Sequence, residues 1–237
     1  MKKYFLMAPL LFSFFSNSTL HISLPSEPPT LDWNIATDNI SYQILNQLME
    51  GLTQFDENLN VIPAVAQSWD IGDNGKTYVF HINKNAKWSD GVKVRAQDFR
   101  YSWLRLLNPN TAAEYAYFLF DIVGAKDFNS GILKDTTQVG IEVADDHTLI
   151  IHLTKPIAFF PSISTFMVTF PLRQDVVEKF GDKWTEPKNM ATCGPYTLTE
   201  WWHEYRLHLL RNPYYGGSPK PSIKDIFNGI PFGLFGC

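Results

Sequence analysis

The stretch from Ala86 to Trp103 constrains this chain more than any other: Ala86-Lys87-Trp88-Ser89-Asp90-Gly91, five linking residues, then Gln97-Asp98-Phe99-Arg100-Tyr101-Ser102-Trp103. Ser89-Asp90-Gly91 reads as a turn, because an Asp carboxylate bonds nearby backbone amides and Gly accepts positive φ. Before it, Thr77 to Ile82 reads as a strand. After it, Phe99, Trp103 and Leu106 or Leu107 recur at spacings of three and four, which sets a bulky apolar stripe on one face of a helix that Asn108-Pro109 ends. The unit is strand, turn and helix, and on pattern alone it is core.

A chain of 237 residues has room for one or two domains, and 45% apolar residues with 18 Phe and 7 Trp supply the core material. The net charge of −4 comes with Lys and Arg scattered along the chain, which gives no footprint for a phosphate backbone and argues against nucleic acid. Met1-Lys2-Lys3, the apolar run Tyr4 to Phe15 and the small polar Ser16-Asn17-Ser18 have the order of a secretory signal peptide, read over 1–18. The run is too short for a transmembrane helix, which needs about 20 residues.

Leu20 to Leu24 alternates as a short strand, and Pro25, Pro28 and Pro29 force an extended passage after it. Thr37 or Asp38 can cap a helix carrying Ile40, Ile44, Leu45, Leu48 and Met49, with Gly51 as its stop. The segment from Thr30 to Asn39 is thus a loop between strand and helix, a place that suits ligand contact. Leu52 to Leu172 reads as strands with interposed helices, including a hairpin of Val139 to Val143 and Thr148 to Leu153 turned at Asp145-Asp146. Asp175 to Phe180 is a short helix ended by Gly181, and Tyr196 to Trp201 with Tyr205 to Leu210 is a second hairpin. The class is mixed α/β (α+β), with most strands antiparallel.

Catalytic constellations are scarce. His81, His147, His152, His203 and His208 form no His-Glu-x-x-His, and His203 and His208 fall on opposite faces of a hairpin, so no metal or cofactor is expected. There is no nucleophile elbow and no phosphate-cradling Gly loop. Asp145-Asp146 is more simply a turn former than an acid/base pair, and the Asn-x-Ser/Thr matches at Asn17 and Asn39 are short enough to arise by chance. Cys193 and Cys237 permit one disulfide at most, and the sequence does not decide whether they pair.

The block AKWSDG…AQDF.YSW resembles the signature of the extracytoplasmic solute-binding proteins of ABC importers, family 5, in the oligopeptide- and dipeptide-binding class. Similar blocks flank it in order: Glu27 to Asp32, Glu50-Gly51-Leu52, Pro63 to Trp69, Asp145 to Leu149, Lys179 to Thr185 and Gly194 to Leu198, so the likeness covers residues 20 to about 225. It implies an incomplete periplasmic-binding-protein-like type II lobe with a small mixed α/β domain inserted. Residues 19–49 and 173–237 would form the first lobe and 50–172 the insertion. The closing third domain has no counterpart here. The chain departs from the pattern after Ile226, and has Tyr214-Tyr215-Gly216-Gly217 where the family shows Tyr-Trp after Asn-Pro, so its C-terminus reads as truncated or altered in frame.

By the same resemblance the protein is a soluble periplasmic monomer that captures oligopeptides for inner-membrane ABC permease subunits and is not an enzyme. No cysteine follows the apolar run where a lipid-anchored member would carry one, and Cys193 stands where the family typically has Asn, as a buried inert thiol. A gap-free match from Leu31-Asp32 to Glu50-Gly51 puts the ligand-backbone segment on Thr37, Asp38 and Asn39, and a match from Asn110-Thr111-Ala112 puts the contacting tyrosine on Tyr115. Asp38 as a helix cap and Tyr115 as a core aromatic are the competing roles. The family's acidic partner for the peptide amino group belongs to the absent domain. Dipeptide, murein-peptide and nickel or haem receptors are rivals within the family; a secreted hydrolase and a non-functional truncated product are rivals outside it.

Overall fold

The computed structural model describes residues 18–230. All but the last residue of the expected signal peptide lies outside the described residues, as do residues 231–237, Cys237 among them. In chain order the elements are β1 (Thr19–Ser23), α1 (Asn39–Leu48), β2 (Thr53–Phe55), β3 (Val61–Pro63), β4 (Ala66–Gly72) and β5 (Thr77–Ile82). Then come α2 (Ala96–Leu107), α3 (Ala125–Asn129), β6 (Ile141–Asp145), β7 (Thr148–His152), α4 (Phe160–Ile163), α5 (Gln174–Phe180), β8 (Tyr196–Trp202), β9 (Arg206–Arg211) and β10 (Asp225–Gly229). They form two four-stranded sheets, ordered β1-β10-β9-β8 and β4-β5-β7-β6, and a β2-β3 ribbon. Every pairing is antiparallel except β1 with β10, so the mixed α/β class with antiparallel predominance holds.

The second sheet shows why alternation matters. Along β5 every second side chain, Tyr78, Phe80 and Ile82, is buried, and Leu149 and Ile151 of β7 bury beside them. The α2 stripe of Phe99, Trp103, Leu106 and Leu107 is fully buried. Phe160 of α4 joins the two layers, with ring centroids 5.3 Å from Tyr78, 6.4 Å from Phe80 and 6.2 Å from Trp103. In the first sheet Tyr196 and Leu198, Leu207 and Leu209, and Ile226 point inward in the same rhythm.

The Ala86–Trp103 block behaves as its pattern implies. Gly91 has φ +86, and the Asp90 carboxylate accepts from the Val92 amide at 3.1 Å. The Asp98 carboxylate, in the first turn of α2, accepts from the Trp88 indole and the Arg95 amide, both at 3.0 Å. Burial pushes the Asp98 carboxyl above its ordinary range even against those two bonds. The Asp98 carbonyl takes the Leu172 amide at 3.1 Å, and Ser89 and Thr192 exchange two hydrogen bonds, so one turn and one helix start hold two distant segments.

Two details differ from the sequence reading. The first helix does start at the Asp38 cap, but it ends at Leu48 through an extended Met49 (φ −130) and not through a glycine in the left-handed region. Gly51 is required for another reason: a Cβ there would lie 2.1 Å from the Ser164 carbonyl oxygen. The second is β10, unread in the sequence, whose strand joins β1 to the β8-β9 hairpin.

Because the Trp88 indole and the Arg95 amide have no other acceptor among the described residues, Asp98→Ala should lower the free energy of unfolding by about 3 kcal/mol. Asp98→Asn, which keeps an acceptor oxygen, should lose less than half of that; urea unfolding followed by Trp fluorescence reads both, and equal losses would refute the role given to the carboxylate.

Candidate functional site

The loop ahead of α1 is built on Asp32. Its backbone carbonyl accepts from Ile35 and Ala36 at 3.0 and 2.9 Å, its side chain accepts from the Asn34 amide at 3.1 Å, and it is 6% exposed. The Arg105 guanidinium of α2 clasps both Asp32 oxygens at 2.9 and 2.6 Å and also donates to Asn34 Oδ1 at 2.9 Å. Asn34 Nδ2 in turn donates to Ser102 Oγ and to the Val168 carbonyl, each at 3.2 Å. A bidentate, charge-assisted pair of this kind fixes direction as well as distance. The loop is therefore bolted to α2 and to the 167–170 turn, and Thr37 leaves it exposed.

Asp38 is the N-cap: its Oδ1 accepts from the Ile40 and Ser41 amides at 2.9 Å each, and its backbone is extended (φ −103, ψ 158). Thr37 and Asn39 on either side are exposed, and among the described residues their amides donate to no acceptor. Tyr115 sits in the 3-10 segment Glu114–Leu119 and donates its hydroxyl to the Thr37 carbonyl at 3.2 Å. The structure thus brings all four candidate residues together, although Tyr115 is 78 residues from Thr37. Tyr115 is half-buried, and its ring packs on Tyr117, Phe118 and Phe166 at 6.1, 5.7 and 5.6 Å.

Those neighbouring rings, together with Tyr42 at 6.0 Å from Phe166, were not singled out by the sequence. They come from three separate segments, and no spacing within one segment connects them. Nor was the Asp32–Arg105 clasp foreseen, though an Asp in a run of otherwise apolar residues that needs a cation was its signal.

Further along α1 a cleft of about 300 Å³ opens between Tyr42, Asn46, Glu50, Gln54, Thr165 and Tyr215. Glu50 in its wall accepts a short hydrogen bond from the Tyr215 hydroxyl. Burial pushes the Glu50 carboxyl from its ordinary 4.5 up to about 7, while the Tyr215 bond and the Lys220 charge pull the other way. The same burial, with the Glu50 charge beside it, holds the Tyr215 hydroxyl protonated and donating. The Lys220 ammonium donates to the Tyr215 carbonyl. Cys193 is a buried free thiol that donates to the Glu50 carbonyl at 3.7 Å, and burial raises its pKa, in keeping with an inert role.

Among the described residues no three His, Cys, Asp or Glu side chains are placed to hold a metal ion. The histidines are dispersed: His81 pairs with Asp70 at 2.8 Å, His152 with Glu142 at 3.3 Å and His203 with Glu27 at 2.6 Å. Asp145 serves its hairpin, accepting from the His147 amide at 2.7 Å. No helix among the described residues is long and apolar enough to cross a membrane.

Residues 60–226 match the model of the bacterial extracellular solute-binding proteins, family 5 Middle. The chain is 42% identical over 185 residues to the periplasmic oligopeptide-binding protein OppA of Escherichia coli K12, a match covering 77% of this chain and 34% of that protein. Among solved structures it is similar to the substrate-binding domain of an oligopeptide ABC transporter from Bacillus anthracis (36% identity, TM-score 0.86, 90% of this chain and 41% of the other). It is also similar to Haemophilus influenzae OppA in complex with the peptide RPPGFSPFR (33% identity, TM-score 0.85, 90% and 42%). The chain therefore spans about a third to two-fifths of the length of the proteins it matches.

The raised Glu50 carboxyl carries a pH signature. Between its ordinary value and about 7 the folded chain holds a proton that the unfolded chain has released, so stability falls as pH rises through that window. Thermal unfolding midpoints should drop between pH 5 and pH 8 by the equivalent of about 2 kcal/mol, and Glu50→Gln should flatten that drop. An unchanged pH slope in the variant would show that Glu50 titrates in its ordinary range.

Proposed function

The chain belongs to the bacterial extracellular solute-binding proteins of family 5, and from that membership we propose that it captures oligopeptides in the periplasm for the permease of an ABC importer. It acts by binding, as a monomer and without a cofactor, and catalyses no reaction. The observation that carries this reading is the junction of Tyr115 with Thr37. It sets the exposed backbone around the extended Asp38, with the unused amides of Thr37 and Asn39, beside a fixed hydroxyl, on a loop that the Arg105–Asp32 clasp keeps rigid.

The chemistry of peptide capture explains why such a site suits the task. A receptor for peptides of many sequences must bond what all peptides share, the main chain, and it does so by adding the ligand as a strand. Thr37 and Asn39 supply main-chain groups for that pairing. The Asp38 carboxylate is committed to the helix cap, so Asp38 contributes through its backbone, and the cap and ligand roles coexist.

The same reading assigns residues 19–49 and 173–237 to one lobe and 50–172 to an insertion. This division is supported by the sheets: β4, β5, β6 and β7 all fall within 50–172, while β1, β8, β9 and β10 all fall outside it. In the longer relatives, closure of further chain over the ligand would complete the site, as hinge-closing receptors do. The signal peptide over 1–18 and its removal belong to the same proposal.

A complete peptide receptor of micromolar affinity gains about −8 kcal/mol on binding, and a chain supplying roughly half the contacts retains at most about −4, near millimolar. Titration of this chain with a mixed tri- to pentapeptide library should therefore shift the amide resonances of Thr37 to Asn39 with millimolar midpoints. Tyr115→Ala should weaken that binding several-fold. Peptide-induced shifts confined to other parts of the molecule would refute the assignment of the site.

A further inference from the structure

The rings around Tyr115 form a terrace that the main-chain site does not use. Tyr117 and Phe118 stack with centroids 4.6 Å apart and planes at 24°. Tyr115 stands edge-on to both, at 87° and 82°. Phe166 closes the group at 5.0 Å from Phe118, and Tyr42 of α1 extends it. All of these separations fall in the range at which aromatic pairs attract beyond their buried area. Yet the terrace is not sealed into the core: Tyr117 is 54% exposed and Tyr42 is 38% exposed. Contiguous exposed aromatic surface of this kind is uncommon on a folded chain unless something covers it.

What covers it follows from its position. Tyr115 belongs both to the terrace, through its ring, and to the main-chain site, through the hydroxyl on the Thr37 carbonyl. A peptide paired along the exposed backbone at the extended Asp38 sends alternate side chains to the same side, so one of them is directed at these rings. The ring array offers both edges and faces, the two aspects by which aromatic side chains pack on one another. Resting on the peptide-capture reading above, we infer that the terrace of Tyr42, Tyr115, Tyr117, Phe118 and Phe166 is a side-chain subsite that selects peptides carrying an aromatic residue.

The test compares Ala-Phe-Ala, Ala-Ser-Ala and Ala-Lys-Ala as ligands of this chain, following the ring resonances of selectively labelled Tyr and Phe together with the Thr37–Asn39 amides. Ala-Phe-Ala should bind roughly three- to tenfold more tightly than Ala-Ser-Ala, with shifts on Tyr117 and Tyr42. Tyr117→Ser should abolish that preference while leaving the Ala-Ser-Ala midpoint unchanged, which a loss of folding would not do. Equal binding of all three peptides, or tighter binding of Ala-Lys-Ala, overturns the inference and leaves peptide capture standing. Failure of every peptide to shift either set of resonances overturns both. Ring shifts that depend on protein concentration in the absence of peptide would assign the terrace to self-association and overturn the inference as well.

Discussion

The loop ahead of α1 hangs on one charge pair, the Arg105 guanidinium across both oxygens of Asp32. Neither residue could sit where it does alone, because a nearly buried carboxylate without its cation would carry a desolvation cost of several kcal/mol. With the pair in place, Asn34 is drawn in to bridge Ser102 and Val168, and the loop from Asp32 to Asp38 loses its freedom before α1 begins. A loop held this way presents its backbone in one conformation, so a ligand that pairs with it meets little ordering cost. The rigidity of the candidate site is thus a property of α2, a helix that contributes none of the Thr37–Asn39 and Tyr115 groups.

Much of the fold was legible because local rules and tertiary packing agree. The α2 stripe, the alternation of β5, the Asp145 turn and the Asp38 cap are each read from a few neighbouring residues, and each is found in its expected role. The misses occur where the cause is distant. Gly51 looked like a helix stop because glycine often is one, but its reason lies in the Ser164 carbonyl far along the chain. Strand β10 escaped because Asn228, wholly buried, interrupts the apolar rhythm that announces an inward face.

The site divides in the same way. Thr37, Asp38, Asn39 and Tyr115 came from likeness to a family, since nothing in their residue types alone points to peptide binding. Spacing could not foretell that the Tyr115 hydroxyl would reach the Thr37 carbonyl, nor that Phe166 would gather rings from two other segments. Such meetings are set by how α2 and the two sheets pack, and a single sequence carries no direct trace of them.

The parallel pairing of β1 with β10 bears on how the molecule comes to be folded. Thr19 lies opposite Asp225, so nearly the whole described chain intervenes between two adjacent strands. Closing so long a loop is entropically costly and kinetically late, whereas β4 with β5 and β6 with β7 join close neighbours and the β8-β9 hairpin closes at once. During synthesis β1 must wait, without a strand partner, until β10 has emerged.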